Sequence, residues 1–479
     1  MHSLTVYNVN DALPFGLSAI LRHGIVNQSR NGKVMMVPAP VTTSYLAPCE
    51  RVLFSPERDA NPFFHLMESM WMLAGRNDVA FPSYYSKQLA SYSVDGHTLH
   101  GAYGHRWRNH FGYDQIEQAI ADLKADPDSR RVIIQMWDAN VDGRSTEANA
   151  KDRPCNDMVK FQAIPVGEGY YRLNMSVFCR SNDAVWGAYG ANAVHFSYLH
   201  EYVASAVGMG VGTYFQISDN LHVYDQNLYG EALFSRLMDT SNLNPETGFP
   251  LQLSPGLEKA VHFTRKNEAG EEVGEFTVSQ YNLYTLGKVT FASHPFTIVQ
   301  NYQADPEVAQ AHREAFDIQL PVLLDNTDAV VTHPFLKLVI QPLMKVYQMY
   351  KNGSYLAALS TLRDAEIAFE AQAVVPEGED QGSRLLKRMN QNGERLDWFA
   401  SCEDWMMRRP SVQKAVADLQ ASIPVNAPVE GVEDQPASGT VVTVEENSSC
   451  GNDCGACLCG GESTEDAQPS ANSQEAAGE

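Results

Sequence analysis

The stretch Arg153-Pro154-Cys155-Asn156 is the part of the sequence around which the rest of the chain can be organised. Pro154 favours an extended backbone in the residue before it, and residues 158–164, which follow directly, are typical of a β-strand. A cysteine beside arginines can ionise near neutral pH and attack an electrophilic carbon. The alternative is that Cys155 is a buried small apolar residue, as most lone cysteines are.

Length, composition and charge indicate a globular protein with room for two or three domains. The 479 residues include no run of about 18 apolar residues that would span a membrane. The N-terminus lacks the pattern of a signal peptide, which predicts a cytoplasmic location, in the host cytoplasm if the protein is viral. The net charge of −23 argues against nonspecific nucleic-acid binding, so any basic pocket must be local.

The composition changes twice along the chain and predicts three regions. Residues 1–300 alternate helical and strand-like patterns, which predicts an α/β (α+β) domain, and residues 301–423 are predicted to be a helical C-terminal extension. Residues 424–479 are rich in Pro, Ser, Gly and acidic residues and are predicted to be a disordered acidic tail. This tail holds four cysteines, Cys450, Cys454, Cys457 and Cys459. The spacing of Cys454 and Cys457 suits zinc chelation or a reversible disulfide, but a disordered thiol-bearing tail is favoured, so no metal is expected.

Hydrophobic periodicity places the main elements. Helices are predicted at 11–26, 61–75, 116–123, 191–207, 336–350, 355–371 and 384–399. Strands are predicted at 34–37, 130–137, 158–164, 170–179 and 213–218, and residues 250–300 are predicted to be rich in strands.

Five arginines stand at positions from which their side chains could converge on one ligand. They are Arg30, Arg130, Arg131, Arg153 and Arg180. A single arginine usually lies on a solvated surface, but Arg180 precedes Ser181 and two of the others open a predicted strand. Guanidinium groups form bidentate, charge-assisted bonds with phosphate oxygens, and the set therefore favours a site for a phosphomonoester.

With these residues in view, the chain resembles thymidylate synthase and the related nucleotide hydroxymethylases over roughly residues 10–230. The matching segments keep the family's order: 29–32, 67–71, 102–108, 128–131, 153–155, 179–183, then Gly187 with Asn192, and 222–224. Any one of these motifs is weak, but eight in register form a specific signal. The resemblance implies a mixed sheet with flanking helices, and a homodimer whose active sites each borrow two arginines. No membrane or nucleic-acid partner is expected.

The resemblance also implies a role for each candidate residue. Cys155 adds to C6 of a uracil ring and so makes C5 nucleophilic. The implied catalytic residues are Cys155, Glu68, which orders water and shuttles protons, Tyr103, a candidate base for the C5 proton, and Asn156. The implied substrate-binding residues are Arg30, Arg130, Arg131, Arg180 and Ser181 for the 5′-phosphate, Asn192 for the base, and His222 and Tyr224 for the 3′-hydroxyl. The implied residues for the cosubstrate 5,10-methylenetetrahydrofolate are Asp183, Gly187, Trp71 and Phe81. For Glu68 the alternative is a carboxylate on a helix surface, which its apolar neighbours disfavour.

Two alternatives concern the base. An amide at position 192 matches uracil, whereas a carboxylate would suit cytosine. The resemblance needs one inserted residue between Gly187 and Asn192, so Ala191 is the other candidate for this position.

Four departures from the synthases bear on the product. Asn156 stands where most synthases have a histidine, Phe81 and Tyr84 replace a tryptophan pair, and residues 189–192 replace a Pro-Phe-Asn turn. The short C-terminal closing segment has no visible counterpart. A wetter pocket would let water add to the transferred carbon, which predicts 5-hydroxymethyl-dUMP. The alternatives, in order, are reductive methylation to dTMP, hydroxymethylation of dCMP, and a non-catalytic nucleotide-binding relative.

Overall fold

The structure is a computed structural model, and it describes residues 2–29, 31–55, 58–143, 152–167, 169–224, 261–266, 272–278, 306–372 and 398–422. These residues belong to one compact unit, Met1–Ile423. The predictions for Arg30, for the tail with its four cysteines, and for most of 250–300 and 384–399 lie outside the described residues.

Twelve strands and eleven α-helices make up the described part of the chain. The strands are β1 (His2–Val6), β2 (Ile25–Ser29), β3 (Gly32–Met36), β4 (Val41–Tyr45), β5 (Ile133–Gln135), β6 (Asn156–Gly167), β7 (Tyr170–Cys179), β8 (Asn182–Asp183), β9 (Gly210–Ser218), β10 (Leu221–Tyr224), β11 (Val261–Lys266) and β12 (Glu272–Val278). The helices are α1 (Val9–His23), α2 (Pro62–Leu73), α3 (Ala80–Tyr85), α4 (Tyr103–Arg108), α5 (Gln115–Ala125), α6 (Asn192–Ala206), α7 (Pro306–Asp325), α8 (Gln341–Lys351), α9 (Tyr355–Gln372), α10 (Trp398–Met407) and α11 (Pro410–Ser422). Two π-helical segments, Ala184–Ala191 and Leu336–Ile340, precede α6 and α8.

Two mixed sheets position the site. The six-stranded sheet has the order β1-β4-β9-β7-β6-β5, with β1/β4 and β7/β9 parallel and the other pairs antiparallel. The four-stranded sheet has the order β2-β3-β10-β8, and β11 pairs with β12 alone. The predicted mixed α/β fold is therefore confirmed.

Helix α6 lies at the centre of the core. Every residue from Ala193 to Ala204 is buried, although helices on a protein surface bury one face only. One side of α6 packs on β7 and β9. On its other side, the indole Nε1 of Trp398 donates to the Tyr198 hydroxyl at 2.9 Å, and the Tyr202 hydroxyl donates to Asp317 at 2.7 Å. The C-terminal helices therefore bury the second face of α6.

The strand predicted at 130–137 is shorter in the structure and covers only Ile133–Gln135. The backbone N–H groups of Met136 and Trp137 both donate to the carbonyl of Asp157, at 2.8 and 3.0 Å, and this shared acceptor ends the regular ladder. Arg130 and Arg131 precede β5 and are exposed.

Among the described helices, none is both long and apolar enough to cross a membrane.

Candidate functional site

Cys155 and Arg180 meet where β6 begins and β7 ends. Because these strands are antiparallel neighbours, the residue before β6 lies beside the residue after β7. The Arg180 backbone N–H donates to the Cys155 carbonyl at 2.9 Å, and its Nε donates to the Pro154 carbonyl at 2.9 Å. Its Nη2 donates to the Arg153 carbonyl at 3.3 Å and lies 3.9 Å from the Cys155 Sγ. A guanidinium group at this position favours a thiolate.

Tyr103 supports the same segment from α4. Its hydroxyl oxygen accepts the backbone N–H groups of Cys155 at 3.2 Å and of Asn156 at 3.3 Å, and its ring packs against Phe196 with a centroid distance of 5.8 Å. Burial raises the pKa of Tyr103 well above its ordinary value, and the nearby Cys155 adds to this shift. The hydroxyl is therefore neutral near pH 7 and orients the backbone around Cys155. A role as base for the C5 proton stays a prediction.

The Asn156 side chain is fully buried beside Tyr103. Within the described residues neither its Oδ1 nor its Nδ2 has a hydrogen bond of normal geometry. Contact with the Asn156 side chain partly offsets the raised pKa of Tyr103, so this amide faces the hydroxyl that holds the backbone of Cys155.

Glu68 lies inside the protein. Its Oε2 is 3.1 Å from Nε2 of His195 on α6, and the two side chains are only 13% and 4% exposed. The alternative of a surface carboxylate is therefore excluded. The sequence reasoning did not single out His195, because α6 also carries His200 and Glu201 and the sequence gives no sign of which of them meets Glu68.

The π-helical segment Ala184–Ala191 precedes Asn192, and its backbone departs from helical angles at Tyr189 and Gly190. Helix α6 then begins at Asn192, whose Nδ2 donates to the Asn182 Oδ1 at 3.1 Å. A Cβ on Gly187 would lie 2.8 Å from this Oδ1 and 3.1 Å from the Asn192 Nδ2. The structure thus brings the amide of Asn192 against Gly187.

Asp183 caps the start of the π-helical segment. Its Oδ1 accepts the backbone N–H groups of Val185 at 2.8 Å and of Trp186 at 3.2 Å, and burial raises its pKa. Within the described chain its Oδ2 accepts no hydrogen bond, so this oxygen is able to accept from N–H donors of a ligand. The Trp186 ring is half exposed and faces the Arg58 guanidinium at 4.5 Å, and neither residue was selected from the sequence.

His222 and Tyr224 on β10 lie next to Asp183 and to the β2–β3 turn. His222 pairs with Asp183 in the parallel β8/β10 register. The Tyr224 hydroxyl accepts a hydrogen bond from Asn31 Nδ2 at 3.4 Å. The segment predicted to bind phosphate therefore adjoins the pair predicted to bind the 3′-hydroxyl.

The remaining candidates lie in separate places. Trp71 and Phe81 are joined by Asp78, which accepts the Trp71 indole N–H at 3.1 Å and the Phe81 backbone N–H at 3.2 Å. Ser181 is half-buried, and its carbonyl accepts the Cys179 thiol. Among the described residues, the exposed side chains of Arg130 and Arg131 contact no carboxylate, and the structure does not bring them to Cys155.

Comparisons with known proteins agree with this arrangement. A model of the thymidylate synthase family matches residues 17–267. A deoxyuridylate hydroxymethyltransferase of Pseudomonas phage M6 is 53% identical over 249 residues, which are 52% of this chain and 68% of that protein. A deoxyuridylate hydroxymethyltransferase of Bacillus phage SP01 is 36% identical over 241 residues, which are 48% of this chain and 61% of that protein. A putative thymidylate synthase of Methanothermobacter marburgensis is 39% identical over 143 residues, which are 30% of this chain and 58% of that protein.

The family match covers the sheet strands and helices that carry Cys155, Arg180, Asn192 and Glu68. The resemblance predicted from the motifs is therefore confirmed, and the chain belongs to the thymidylate synthase family.

Proposed function

We propose that this chain is an enzyme that transfers a one-carbon unit from 5,10-methylenetetrahydrofolate to C5 of dUMP and releases 5-hydroxymethyl-dUMP. The observation that carries the proposal is the position of Cys155, whose Sγ lies 3.9 Å from the Arg180 Nη2 on a backbone held by Tyr103. The names of the two phage relatives support the hydroxymethyl product over the methyl product.

In this proposal Cys155 forms the covalent bond to the substrate. The thiolate adds to C6 of uracil, and the electron pair of the C5–C6 double bond makes C5 nucleophilic. Arg180 keeps the thiolate in place through the carbonyls of residues 153 and 154, and within the described residues its Nη1 remains available for the 5′-phosphate. Ser181, Arg30, His222 and Tyr224 complete the nucleotide site.

The folate cosubstrate supplies a carbon at the oxidation level of formaldehyde. Asp183 offers its Oδ2 to the pterin, and Gly187, Trp71 and Phe81 are the further residues proposed for the folate. After C5 bonds to that carbon, removal of the C5 proton, for which Tyr103 is the candidate base, expels tetrahydrofolate and leaves an exocyclic methylene on C5. A water molecule then adds its oxygen to this methylene, and the proton of the water passes to a base. The returning electron pair re-forms the C5–C6 double bond and expels the thiolate. Glu68, paired with His195, is the proposed base, and the buried amide of Asn156 is a proposed partner for the water.

We propose that the protein acts as a homodimer that pairs through the six-stranded sheet. The strand register places Met158, Phe178 and Ile217 side by side on one face, where all three are half-buried, and Ile133 on β5 is 45% exposed. An apolar sheet face of this kind suits a second copy of the chain. Arg130 and Arg131, exposed beside β5, would then reach the partner's phosphate site. The phage relatives support the host cytoplasm as the location.

We propose that the chain has two folded regions. Residues 1–300 form the catalytic domain, and residues 301–423 form a helical extension that packs against α2 and α6. Phe63 of α2 packs against Tyr347 of α8 with a centroid distance of 5.0 Å, which supports this arrangement. Residues 424–479 are proposed to be a separate acidic tail.

The test is to incubate the protein with dUMP and methylenetetrahydrofolate and to determine the mass of the nucleotide product. We expect a gain of CH₂O with tetrahydrofolate released. Cys155→Ala should abolish turnover while dUMP binding is retained, because only the nucleophile is removed. A gain of CH₂ with dihydrofolate would instead identify a thymidylate synthase. Conversion of dCMP but not dUMP would identify a cytidylate enzyme, and binding without turnover would identify a non-catalytic relative.

A further inference from the structure

A chain of three polar side chains runs from the end of β9 to the start of α6. The Asn192 Nδ2 donates to the Asn182 Oδ1 at 3.1 Å, and the Asn182 Nδ2 donates to the Ser218 Oγ at 2.9 Å. Asn182 and Ser218 are each only 1% exposed, so water does not compete for these bonds. Ser218 and Asn182 are fixed in turn by β9 and by the short β8/β10 pairing.

The direction of the bond between the two asparagines determines what Asn192 presents to a ligand. In a planar amide, the oxygen and the nearer N–H hydrogen form one edge, and the second N–H hydrogen points away from it. Because the Asn192 Nδ2 faces the Asn182 Oδ1, the nitrogen of this amide lies toward Asn182 and its oxygen lies away from it, which fixes the order of donor and acceptor that Asn192 presents. Gly187 makes this packing feasible, since a Cβ there would clash with the Asn182 Oδ1 at 2.8 Å and lie tightly against the Asn192 Nδ2 at 3.1 Å.

The two pyrimidines require opposite orders along this edge. Uracil presents an acceptor at O4 and a donor at N3, whereas cytosine presents a donor at the 4-amino group and an acceptor at N3. If the side-chain amide of Asn182 were rotated by 180°, its Nδ2 would face Asn192. The Asn192 amide would then have to rotate as well, so that its Oδ1 faced Asn182. In that reversed state the Ser218 hydroxyl would have to donate to the Asn182 Oδ1, whereas in the structure it accepts from the Asn182 Nδ2 at 2.9 Å. The arrangement found, with Asn182 as acceptor, gives the order that uracil requires.

We propose that Asn182 is a specificity-determining positioning residue, which selects uracil over cytosine by fixing the orientation of Asn192. This inference rests on the proposed function, in which Asn192 contacts the base. Asn182 acts through Asn192, so its removal should change the choice between nucleotides more than the rate of the chemistry.

The experiment compares dUMP with dCMP as alternative substrates for the full-length protein, through the ratio of their kcat/KM values and the ratio of their dissociation constants. Asn182→Leu removes the acceptor and frees Asn192 to turn over, and we expect both ratios to fall about tenfold, as for the loss of one buried hydrogen bond. Asn182→Asp can only accept at this position, so we expect its ratios to equal or exceed those of the unchanged protein. Circular dichroism checks that each variant is folded.

Asn174→Leu is the matched control, because the Asn174 Oδ1 accepts the backbone N–H of Thr213 on the neighbouring strand and does not contact Asn192. We expect its ratios to be unchanged. The inference is overturned if Asn182→Leu weakens both nucleotides equally, or if Asn182→Asp loses selectivity. If Asn182→Leu does not fold, the Asn182→Asp ratios alone decide. An unchanged protein that neither binds nor converts either nucleotide would refute the proposed function itself, which is a different result.

Discussion

The two sides of the candidate site are built differently. On the thiol side, defined by Cys155, Tyr103 and Arg180, side chains hold the backbone: the Tyr103 hydroxyl accepts two main-chain N–H groups, and Arg180 donates to two main-chain carbonyls. On the amide side, defined by Asn182, Gly187 and Asn192, side chains hold another side chain.

This difference corresponds to two separate tasks, the covalent step and the recognition of the base. A backbone clamped on both sides keeps the nucleophile at one position, which is what a covalent step requires. A side-chain amide held by a second amide keeps its edge in one orientation, which is what recognition of a base requires. Changes on the thiol side should therefore lower the rate for every nucleotide, and changes on the amide side should alter binding of the base.

The largest effect is expected from Arg180→Leu, which tests the thiol side. Loss of the guanidinium removes the carbonyl clamp, the cation beside the Cys155 Sγ and a proposed phosphate contact. We expect kcat/KM for dUMP to fall by about a hundredfold to a thousandfold, with slower alkylation of Cys155 by iodoacetamide at neutral pH. Steady-state kinetics and mass spectrometry of the alkylated protein measure the two effects.

Arg180→Lys is the control for charge. An ammonium group cannot reproduce the planar fork that reaches two carbonyls, so we expect little recovery of the rate. Full recovery would mean that charge alone suffices and that the clamp has no part in catalysis.

An intermediate effect is expected from Gly187→Ala, which tests the amide side. The new Cβ would lie 2.8 Å from the Asn182 Oδ1 and 3.1 Å from the Asn192 Nδ2, so the two amides must separate. We expect the dissociation constant for dUMP to rise about tenfold, and the alkylation of Cys155 in the free protein to stay unchanged.

Gly210→Ala provides the comparison, because a Cβ there would meet no atom closer than 3.5 Å. Its affinity for dUMP should match that of the unchanged protein. If Gly187→Ala slows the alkylation of Cys155 as well, the two sides are not independent.

The smallest effect is expected from Asp157→Asn. This substitution tests whether a carboxyl group close to the thiol side lowers the free energy of unfolding. Burial raises the pKa of Asp157 to about 6; Arg180 opposes this shift and Asp219 adds to it. Because the folded state then binds a proton that the unfolded state has released, Asp157 makes stability fall as pH rises from about 4 to about 6, after which it is constant. Asp157 is half-buried, so solvent screening limits the cost at pH 7 to about 1 kcal/mol or less.

Asp157→Asn should therefore raise the free energy of unfolding at pH 7 by up to that amount and flatten the slope below pH 6. Urea unfolding at several pH values measures this, with the exposed Asp128→Asn as the control. An unchanged slope would show that Asp157 does not titrate differently in the folded state.

Much of the fold was predictable because it depends on local patterns. Periodicity located α1, α2, α5 and α6 to within a few residues, and the motif order identified the family. The shorter β5 was not predictable, since it ends where two N–H groups share the Asp157 carbonyl, a contact between residues some twenty positions apart. The burial of α6 on both faces was also beyond the sequence, because it depends on where the C-terminal helices pack.

The candidate site, like the fold, was predictable from the sequence only in part. The sequence nominated Cys155 and Arg180 by residue type and position, and Glu68 and Asn192 through the family resemblance. It did not nominate His195 as the partner of Glu68, nor Asn182 and Ser218 as the support of Asn192. Their roles stay predictions, and the experiments above test those of Cys155, of Arg180 and of Asn182 as the support of Asn192.

By itself, then, the sequence determined which residue types stand in the family's order, since a thiol, a guanidinium and an amide are properties of single residues. Only the tertiary structure decided how these side chains are oriented. The Oδ1 of Asn182 faces Asn192 because β8, β9 and α6 bring together side chains that are 10 and 36 positions apart in the chain. Hydrogen bonds over such separations depend on packing geometry, which no local pattern in the sequence encodes.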